Sequence, residues 1–323
     1  MRTLAVVIVS LNARAFLGEC LRSVFAETSE SALAVTVVDN GSTDGSLGLI
    51  VREFPDVRVI KNRRNLGFAA AANIALREIR DAGEADYVLL LNPDTIILDG
   101  AIDKLAQYLE AHPDIGAVSP ALVLPDGRFQ TGTGGHLPTA RSAFGYFFFF
   151  FKLFPRRAKS LFFDQGRLAR SREPVAAEWL SGACLMVRRD VLTRAGLLDE
   201  RYFFYGEDIA WGKTMTGFGI RPVYLPGARV VHYHGFSLKG RGGAANTLWL
   251  EMLYRYVRRE RGRTEYFLFR LFSIGGFLLR WGAYSLAGLG RRDPALRSKA
   301  RDSARFLAAA LKILPSPPNP PLF

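Results

Sequence analysis

The sequence predicts an α/β fold in which a mostly parallel central sheet carries helices on both faces. Three observations lead there. Short β-rich runs alternate with helix-period segments through the first half of the 323 residues, the pattern of repeated β-α units. Val88–Leu91 is apolar without a break, as in a parallel strand covered on both sides. Two of the strand-like runs lead into carboxylates, Asp39 and Asp94, at the carboxyl edge where open α/β sheets bind ligands.

The elements follow in order. Leu4–Ser10 reads as the first strand, and Phe16, Leu17, Cys20, Leu21, Val24 and Phe25 then recur at helical spacing. Val35–Val38 and Val57–Ile60 are the second and third strands, followed by an Ala-rich helix over Gly67–Arg80. Tyr87–Leu91 is the fourth strand, stopped by Pro93, which cannot continue the ladder, and a helix is expected near Ala101–Glu110. Glycine, proline, phenylalanine and arginine dominate from Pro120 to Pro174, so a long mobile excursion is expected there. Regular structure returns at Ala177–Arg188, with a helix from Arg189 to about Ala195. Pro315–Pro321 reads as a disordered tail.

At 49% hydrophobic residues the chain has ample material for a core. Its two cysteines, Cys20 and Cys184, sit in apolar sequence without metal-ligand spacing, as expected of buried thiols in a reducing compartment. Leu4–Val9 is apolar but lacks a small-residue cleavage site, so it reads as a strand and not a signal peptide. The net charge is +13, and Arg229–Phe323 alone holds 17 Lys+Arg against 5 Asp+Glu. A basic carboxyl-terminal third suits an anionic membrane surface or nucleic acid.

The aromatic pattern there favours the membrane. Phe267, Leu271, Ile274, Leu278 and Trp281 fall on one helical face within residues 265–289. Arg270 and Arg280 interrupt the run, leaving no uncharged stretch of the roughly 20 residues a bilayer span needs. A helix lying in the interface fits, and a helix packed on the protein's own core is the alternative. Phe147–Phe151, five consecutive phenylalanines followed by Lys152 and Arg156-Arg157, makes the same suggestion independently.

Several segments bear chemistry. Asn92-Pro93-Asp94 is either a strand-terminating turn with a capping Asp or a carboxylate held for a metal that carries phosphates. Asp39, followed by Asn40-Gly41-Ser42-Thr43-Asp44-Gly45, either caps a turn or accepts hydrogen bonds from a base or ribose. Asn62-Arg63-Arg64-Asn65-Leu66-Gly67 leads into a helix amino terminus, where arginines contact a diphosphate or simply remain solvated. Glu207-Asp208 follows an aromatic run; as neighbours in a cleft the two acids would raise each other's pKa, a useful property in a general base. His232 and His234 alternate after a strand-like run, as metal ligands on one side of it would. No Gly-x-Gly-x-x-Gly fingerprint or Walker loop occurs, which disfavours a NAD or ATP enzyme.

The segments VVIVSLN, VVDNGSTDGS, NRRNLGFAAAAN, LLLNPDT, WLSGACLMVRRDVL, GLLDERYFFYGED and LPGARVVHYHG occur in that order over residues 4–260. Together they resemble the inverting family 2 glycosyltransferases, in particular the rhamnosyltransferase-like branch. The resemblance implies a GT-A-type fold and a divalent metal, Mg2+ or Mn2+. Asp94 then corresponds to the metal-binding carboxylate and His232 to a further metal ligand. Asp39 corresponds to the nucleobase-binding aspartate, with Ser10, Asn12, Asn65, Gly67 and Asn92 beside the donor. Asp208, preceded by Glu207, corresponds to the general base, and Trp179, Ser181 and Gly182 to the acceptor-lining segment.

The family's Asp-x-Asp is here Asn-x-Asp, and Ala210 stands where many members carry a further acid. These departures keep a non-catalytic nucleotide-sugar binder or membrane scaffold as the alternative. The leading expectation is a glycosyltransferase that moves rhamnose from dTDP-rhamnose to a cell-surface glycan or lipid-linked acceptor. Residues 1–260 would form its catalytic domain and 261–323 a membrane-associating tail on the inner face of the cell membrane. Nucleic acid is not an expected partner.

Overall fold

In the computed structural model the described residues are 2–154, 159–163, 173–233, 247–289 and 293–312. The amino-terminal half runs β1 (Arg2–Ser10), α1 (Arg14–Ala26), β2 (Ser31–Asp39), α2 (Ser46–Glu53), β3 (Arg58–Lys61), α3 (Phe68–Ala82) and β4 (Tyr87–Leu91). It continues through β5 (Thr95–Leu98), α4 (Ala101–Ala111), β6 (Ile115–Val123), β7 (Gly134–Gly135), α5 (Ala140–Phe147) and α6 (Phe150–Leu153). Next come β8 (Val175–Ala176), β9 (Trp179–Leu180), β10 (Cys184–Arg188), α7 (Arg189–Arg194), α8 (Glu207–Gly217) and β11 (Arg221–His232). The helices α9 (Leu248–Glu260), α10 (Gly262–Leu289) and α11 (Pro294–Leu311) follow. The chain divides into two compact units, one within Met1–Gly135 and Phe163–Leu238, the other within His136–Phe162 and Lys239–Pro321.

The first unit is built on a sheet of order β3-β2-β1-β4-β10-β6-β11-β5, with β8 also paired to β11. β1 pairs in parallel with β2 and with β4, so successive β-α units bring their carboxyl ends to one edge. β10 enters antiparallel between β4 and β6. Burial explains why β4 reads as an unbroken apolar run. Leu89 and Leu91 join a core with Leu17 and Leu21 of α1 and Leu105 of α4. Val88 and Leu90 join the opposite core with Ala72 and Leu76 of α3 and Leu192 of α7. Alternate residues therefore face different layers, and both layers are apolar.

The mobile excursion expected from Pro120 to Pro174 is corrected by the described part of that stretch. Pro120 lies inside β6, next to an irregularity where β11 shifts register between Leu225 and Arg229. A bulge relieves the missing donor, so proline does not end the strand. Beyond it the chain turns at Leu124–Arg128 and returns as a short hairpin, with Val123 bridged to Phe129. Thr139 and Ser142 then form a capping box that starts α5.

The second unit holds α5, α6, α9, α10 and α11. Residues 265–289 fall within one continuous helix, α10, as the periodicity predicts. Ser273 and Gly276 face inward: a Cβ added at Gly276 would lie 2.4 Å from the Cβ of Phe147. Phe277 stacks on Phe306 of α11 at 5.2 Å between ring centroids. Both arginines that interrupt the apolar run are absorbed by carbonyl oxygens. Arg270 donates to Ala310, Leu311 and Lys312 at the carboxyl end of α11, and Arg280 donates to Tyr146 and Phe147 of α5. Phe267, Leu271, Leu278 and Trp281 of the expected apolar face are exposed, and Ile274 is half-buried. Among the described residues no helix is long and apolar enough to cross a membrane. The Pro-rich stretch 315–321, Arg291-Arg292 and His234 lie outside the described residues.

Candidate active site

The carboxyl ends of β1, β2 and β4 gather most of the residues singled out in the sequence. Ser10 ends β1 directly opposite Asp39, the last residue of β2. Ser10 Oγ is buried and makes no hydrogen bond among the described residues, a polar atom left for a ligand or water. Asp39 is 1% exposed, and its carboxylate accepts from the Ser42 N–H at 3.3 Å. Asn12 takes a left-handed conformation (φ 49°) that stitches the first two edge loops together. Its N–H donates to Ser42 Oγ at 2.9 Å, and its Oδ1 accepts from the Thr43 N–H at 2.8 Å.

Asn40, which sequence reading did not select, organises the next loop. Its Nδ2 donates to Asn65 Oδ1 at 2.9 Å and to the Gly67 carbonyl at 3.2 Å, while its Oδ1 accepts from the Leu66 N–H at 3.0 Å. Asn65 Oδ1 also accepts from the Gly67 N–H at 2.9 Å, so this side chain shapes the entry to α3. Arg63 and Arg64 are exposed beside it. At Gly67 (φ +84°) an added Cβ would lie 2.5 Å from the Phe203 carbonyl oxygen, which accepts the Phe68 N–H at 3.0 Å. Only glycine permits that approach, and it ties the start of α3 to the aromatic loop before α8.

After β4, the Asn92 N–H donates to the Ala183 carbonyl at 2.9 Å, and Thr95 Oγ1 donates back to the Asn92 carbonyl at 2.8 Å. This turn buries Asp94, whose Oδ1 lies 3.3 Å from His232 Nε2. Asn92 Nδ2 is likewise 3.3 Å from His232 Nε2. β11 pairs antiparallel with β5, setting His232 opposite Thr95, so the sheet register itself brings His232 to the Asp94 turn. Among the described residues no cluster of three or more His, Cys, Asp or Glu is disposed to hold a metal. Asp94 and His232 place two potential donors side by side. A carboxylate oxygen and an imidazole nitrogen suit a hard or borderline divalent ion. Their 3.3 Å separation is close to the ~3.0 Å between neighbouring donors around an octahedral ion with bonds near 2.1 Å. The residues present therefore fit such an ion.

Glu207 and Asp208 open α8, behind Tyr205 and Gly206, which both have positive φ. Glu207 is buried, whereas Asp208 is half-buried. Asp208 Oδ1 accepts from the Ile209 N–H at 2.8 Å, and the Gly182 N–H points at Oδ2 from 3.5 Å. Desolvation pushes the Asp208 carboxyl above the usual aspartate range, against these donors. Desolvation and then the adjacent Asp208 push Glu207 up as well. Glu207 is thus the enclosed member of the pair and Asp208 the more accessible one, and both carboxyls are raised.

Of the acceptor-lining candidates, Trp179 is 3% exposed and presses on α8, where an added Cβ at Gly212 would lie 2.7 Å from its own. Its ring is core, and the strand it anchors carries Ser181 and Gly182 to the site. The Ser181 N–H donates to the Thr133 carbonyl at 3.0 Å, and Gly182 sits between Phe68 of α3 and Asp208. Gly182 and Ala183 thereby connect the Asp208 carboxylate to the Asn92–Asp94 turn.

Residues 5–179 match glycosyl transferase family 2, more than half of the chain. An N-acetylglucosaminyl-diphospho-decaprenol L-rhamnosyltransferase of Mycobacterium tuberculosis is 35% identical over 225 residues, covering 68% of this chain and 72% of the relative. The chain belongs to glycosyl transferase family 2. It is a glycosyltransferase. Rhamnosyltransferase WbbL of Escherichia coli K12 is 24% identical over 202 residues, covering 60% of this chain and 71% of that one. A mannosyltransferase from Pyrobaculum calidifontis, solved with GDP-Man and Mn2+, superposes with a TM-score of 0.57 at 18% identity, covering 95% of this chain and 85% of that one. GalNAc-T7, solved with UDP, GalNAc and Mn2+, superposes with a TM-score of 0.56 at 19% identity, covering 79% and 48%. These likenesses show the GT-A-type fold that the seven motifs imply.

Proposed function

We propose that this glycosyltransferase moves rhamnose from dTDP-rhamnose to a lipid-linked glycan in cell-surface polysaccharide synthesis, with inversion at the anomeric carbon. The observation that carries the chemistry is the asymmetry of the acidic pair: one enclosed Glu207 and one accessible Asp208 on the Gly182 N–H. One accessible acid, with the neighbouring carboxyl of Glu207 enclosed, supports a single displacement with Asp208 as base. Asp208 takes the proton of the acceptor hydroxyl as that oxygen attacks, and the nucleoside diphosphate leaves from the opposite face. Asp39, Ser10 and Asn12 hold the nucleoside end of the donor, and Ser181 and Gly182 border the acceptor. Asp94 and His232 would hold a divalent ion, which when bound neutralises charge developing on the leaving diphosphate. The sugar and acceptor rest on the printed activities of the rhamnosyltransferase relatives.

A purified-enzyme assay tests this reading, using dTDP-rhamnose and an N-acetylglucosaminyl-diphospho-polyprenol with Mn2+ or Mg2+. Formation of a rhamnosylated lipid, lost by 10²–10⁴-fold (about the range for a general base) in Asp208→Asn, is the expected result. Wild-type turnover retained in that variant would remove Asp208 from its role. Turnover only with a different nucleotide sugar would overturn the donor.

We further propose that the enzyme docks peripherally on the inner face of the cell membrane. Support comes from the exposed apolar face of α10 and the basic balance of the carboxyl-terminal third, within which residues 261–323 would be the associating region.

A further inference from the structure

The hydrogen-bond pattern around His232 assigns a positioning role to Gln130, a residue in none of the motifs above. Gln130 is 6% exposed, on the return limb of the hairpin that follows β6, where its N–H donates to the Leu122 carbonyl at 2.9 Å. β6 and β11 run parallel with Val123 opposite Val231, so the hairpin delivers Gln130 to the residue after Val231. Gln130 Oε1 lies 2.8 Å from His232 Nδ1, a contact buried on both sides.

An amide oxygen can only accept, so this contact places the proton of a neutral imidazole on Nδ1. Nε2 then carries the lone pair, which accepts from Asn92 Nδ2–H at 3.3 Å, and Asp94 Oδ1 lies beside it at 3.3 Å. The Asn92 donor agrees with that tautomer independently, since a protonated Nε2 could not accept from it. An imidazole whose far nitrogen is fixed by an acceptor, and whose near nitrogen faces a carboxylate, is arranged as a metal ligand with its orienting partner. Gln130 does this without adding a negative charge beside Asp94. We propose that Gln130 pre-orients His232 for divalent-cation binding, and that this sets the affinity of the site. The inference rests on the proposed Asp94–His232 metal site.

The test measures Mn2+ binding to the full-length protein in the presence of dTDP, by electron paramagnetic resonance of free Mn2+, for wild type, Gln130→Leu, Gln130→Asn, Gln130→Glu and His232→Ala. Leucine fills the space without an acceptor, and asparagine keeps the amide but withdraws it by one methylene. Both should lose affinity by about 10–100-fold, the usual effect of removing a ligand's orienting partner. Gln130→Glu restores an acceptor for Nδ1–H and should bind within about threefold of wild type or tighter. Thermal melts show which variants are folded, and the asparagine and glutamate variants serve if the leucine variant is not. Wild-type affinity in folded Gln130→Leu or Gln130→Asn, with weakened binding in His232→Ala, overturns the role of Gln130 alone. Unchanged affinity in His232→Ala, or no Mn2+ binding by wild type, overturns the metal site together with it.

Discussion

At the scale of single residues, the acidic pair yields the most direct predictions. Burial raises Glu207, so its folded-state pKa exceeds the unfolded value of about 4.3. Below the unfolded value both states are protonated; as pH rises the unfolded chain ionises first, and folding stability is lost until the folded pKa is passed. Glutamine does not titrate. The folding stability of Glu207→Gln relative to wild type, measured by denaturant unfolding, should therefore climb between about pH 4 and pH 8, by on the order of 1 kcal/mol per unit of upward shift. A difference that stays flat or falls would contradict a neutral, buried Glu207. Asp208 is raised too, so activity should fall on its acid limb with a midpoint above the ordinary aspartate value of about 3.9. Glu207→Gln should keep that limb, because Asp208 is the accessible acid of the pair; a kcat/KM profile checks it. Asp39, Asp94, Asp208 and His232 were legible in the sequence because each stands at the end of a strand or at the start of a helix. Asn40 and Gln130 were not. Their roles depend on partners across loops, and Gln130 meets His232 over 102 positions, a distance no local pattern encodes.

At the scale of elements, local period and stop signals sufficed for β1 to β4, α1, α3 and α4, most of which lie in strand–helix units close in sequence. They failed where a strand draws its partners from distant chain. β10 lies antiparallel inside a sheet whose earlier strands are parallel, and only its buried pairing with both β4 and β6 explains it. β6 was lost to Pro120, which reads as a breaker until the irregularity in β11 beside it is known. The join between α3 and the loop before α8 depends on one glycine. In Gly67→Ala the new methyl meets the Phe203 carbonyl at a backbone conformation that L-residues rarely adopt, so the loop must move or the helix start must unwind. The strain of a non-glycine residue in that backbone region (φ 84°, ψ 170°) is alone roughly 1–3 kcal/mol. We expect a Tm lower by several degrees and a kcat reduced more than the donor KM is raised, since the displaced loop leads directly into Glu207-Asp208. Wild-type stability and kcat in this variant would show that the loop is not held through Gly67.

At the scale of the whole molecule, charge and exposed apolar surface are both concentrated in the carboxyl-terminal third. Of the net +13, +12 lies after Ala228. Among the described residues of the first unit only Phe25, Val51 and Phe218 are large exposed hydrophobics, whereas α10 alone exposes Phe267, Leu271, Leu278, Trp281, Leu286 and Leu289. Arg270 and Arg280 do not interrupt that face, because each is turned inward onto backbone carbonyls. Exposed cations accompany it in the same unit: Arg258, Arg263, Arg297, Lys299 and Arg301. A helix with this division partitions into the headgroup region by burying its apolar side, and each nearby Lys or Arg adds about 1 kcal/mol on an anionic surface. Flotation with vesicles containing phosphatidylglycerol should therefore recover the wild-type protein, with recovery falling as salt screens the cations and far lower on neutral phosphatidylcholine. The double variant Leu278→Glu, Trp281→Glu should lose at least about tenfold in vesicle affinity, since each charge must leave water on an apolar face. Both side chains point away from the core of their unit, so its Tm and its transfer to a short, water-soluble acceptor should stay at wild-type values. Equal flotation of variant and wild type would exclude α10 as the docking face, and equal binding to neutral and anionic vesicles would exclude the charge as its selector.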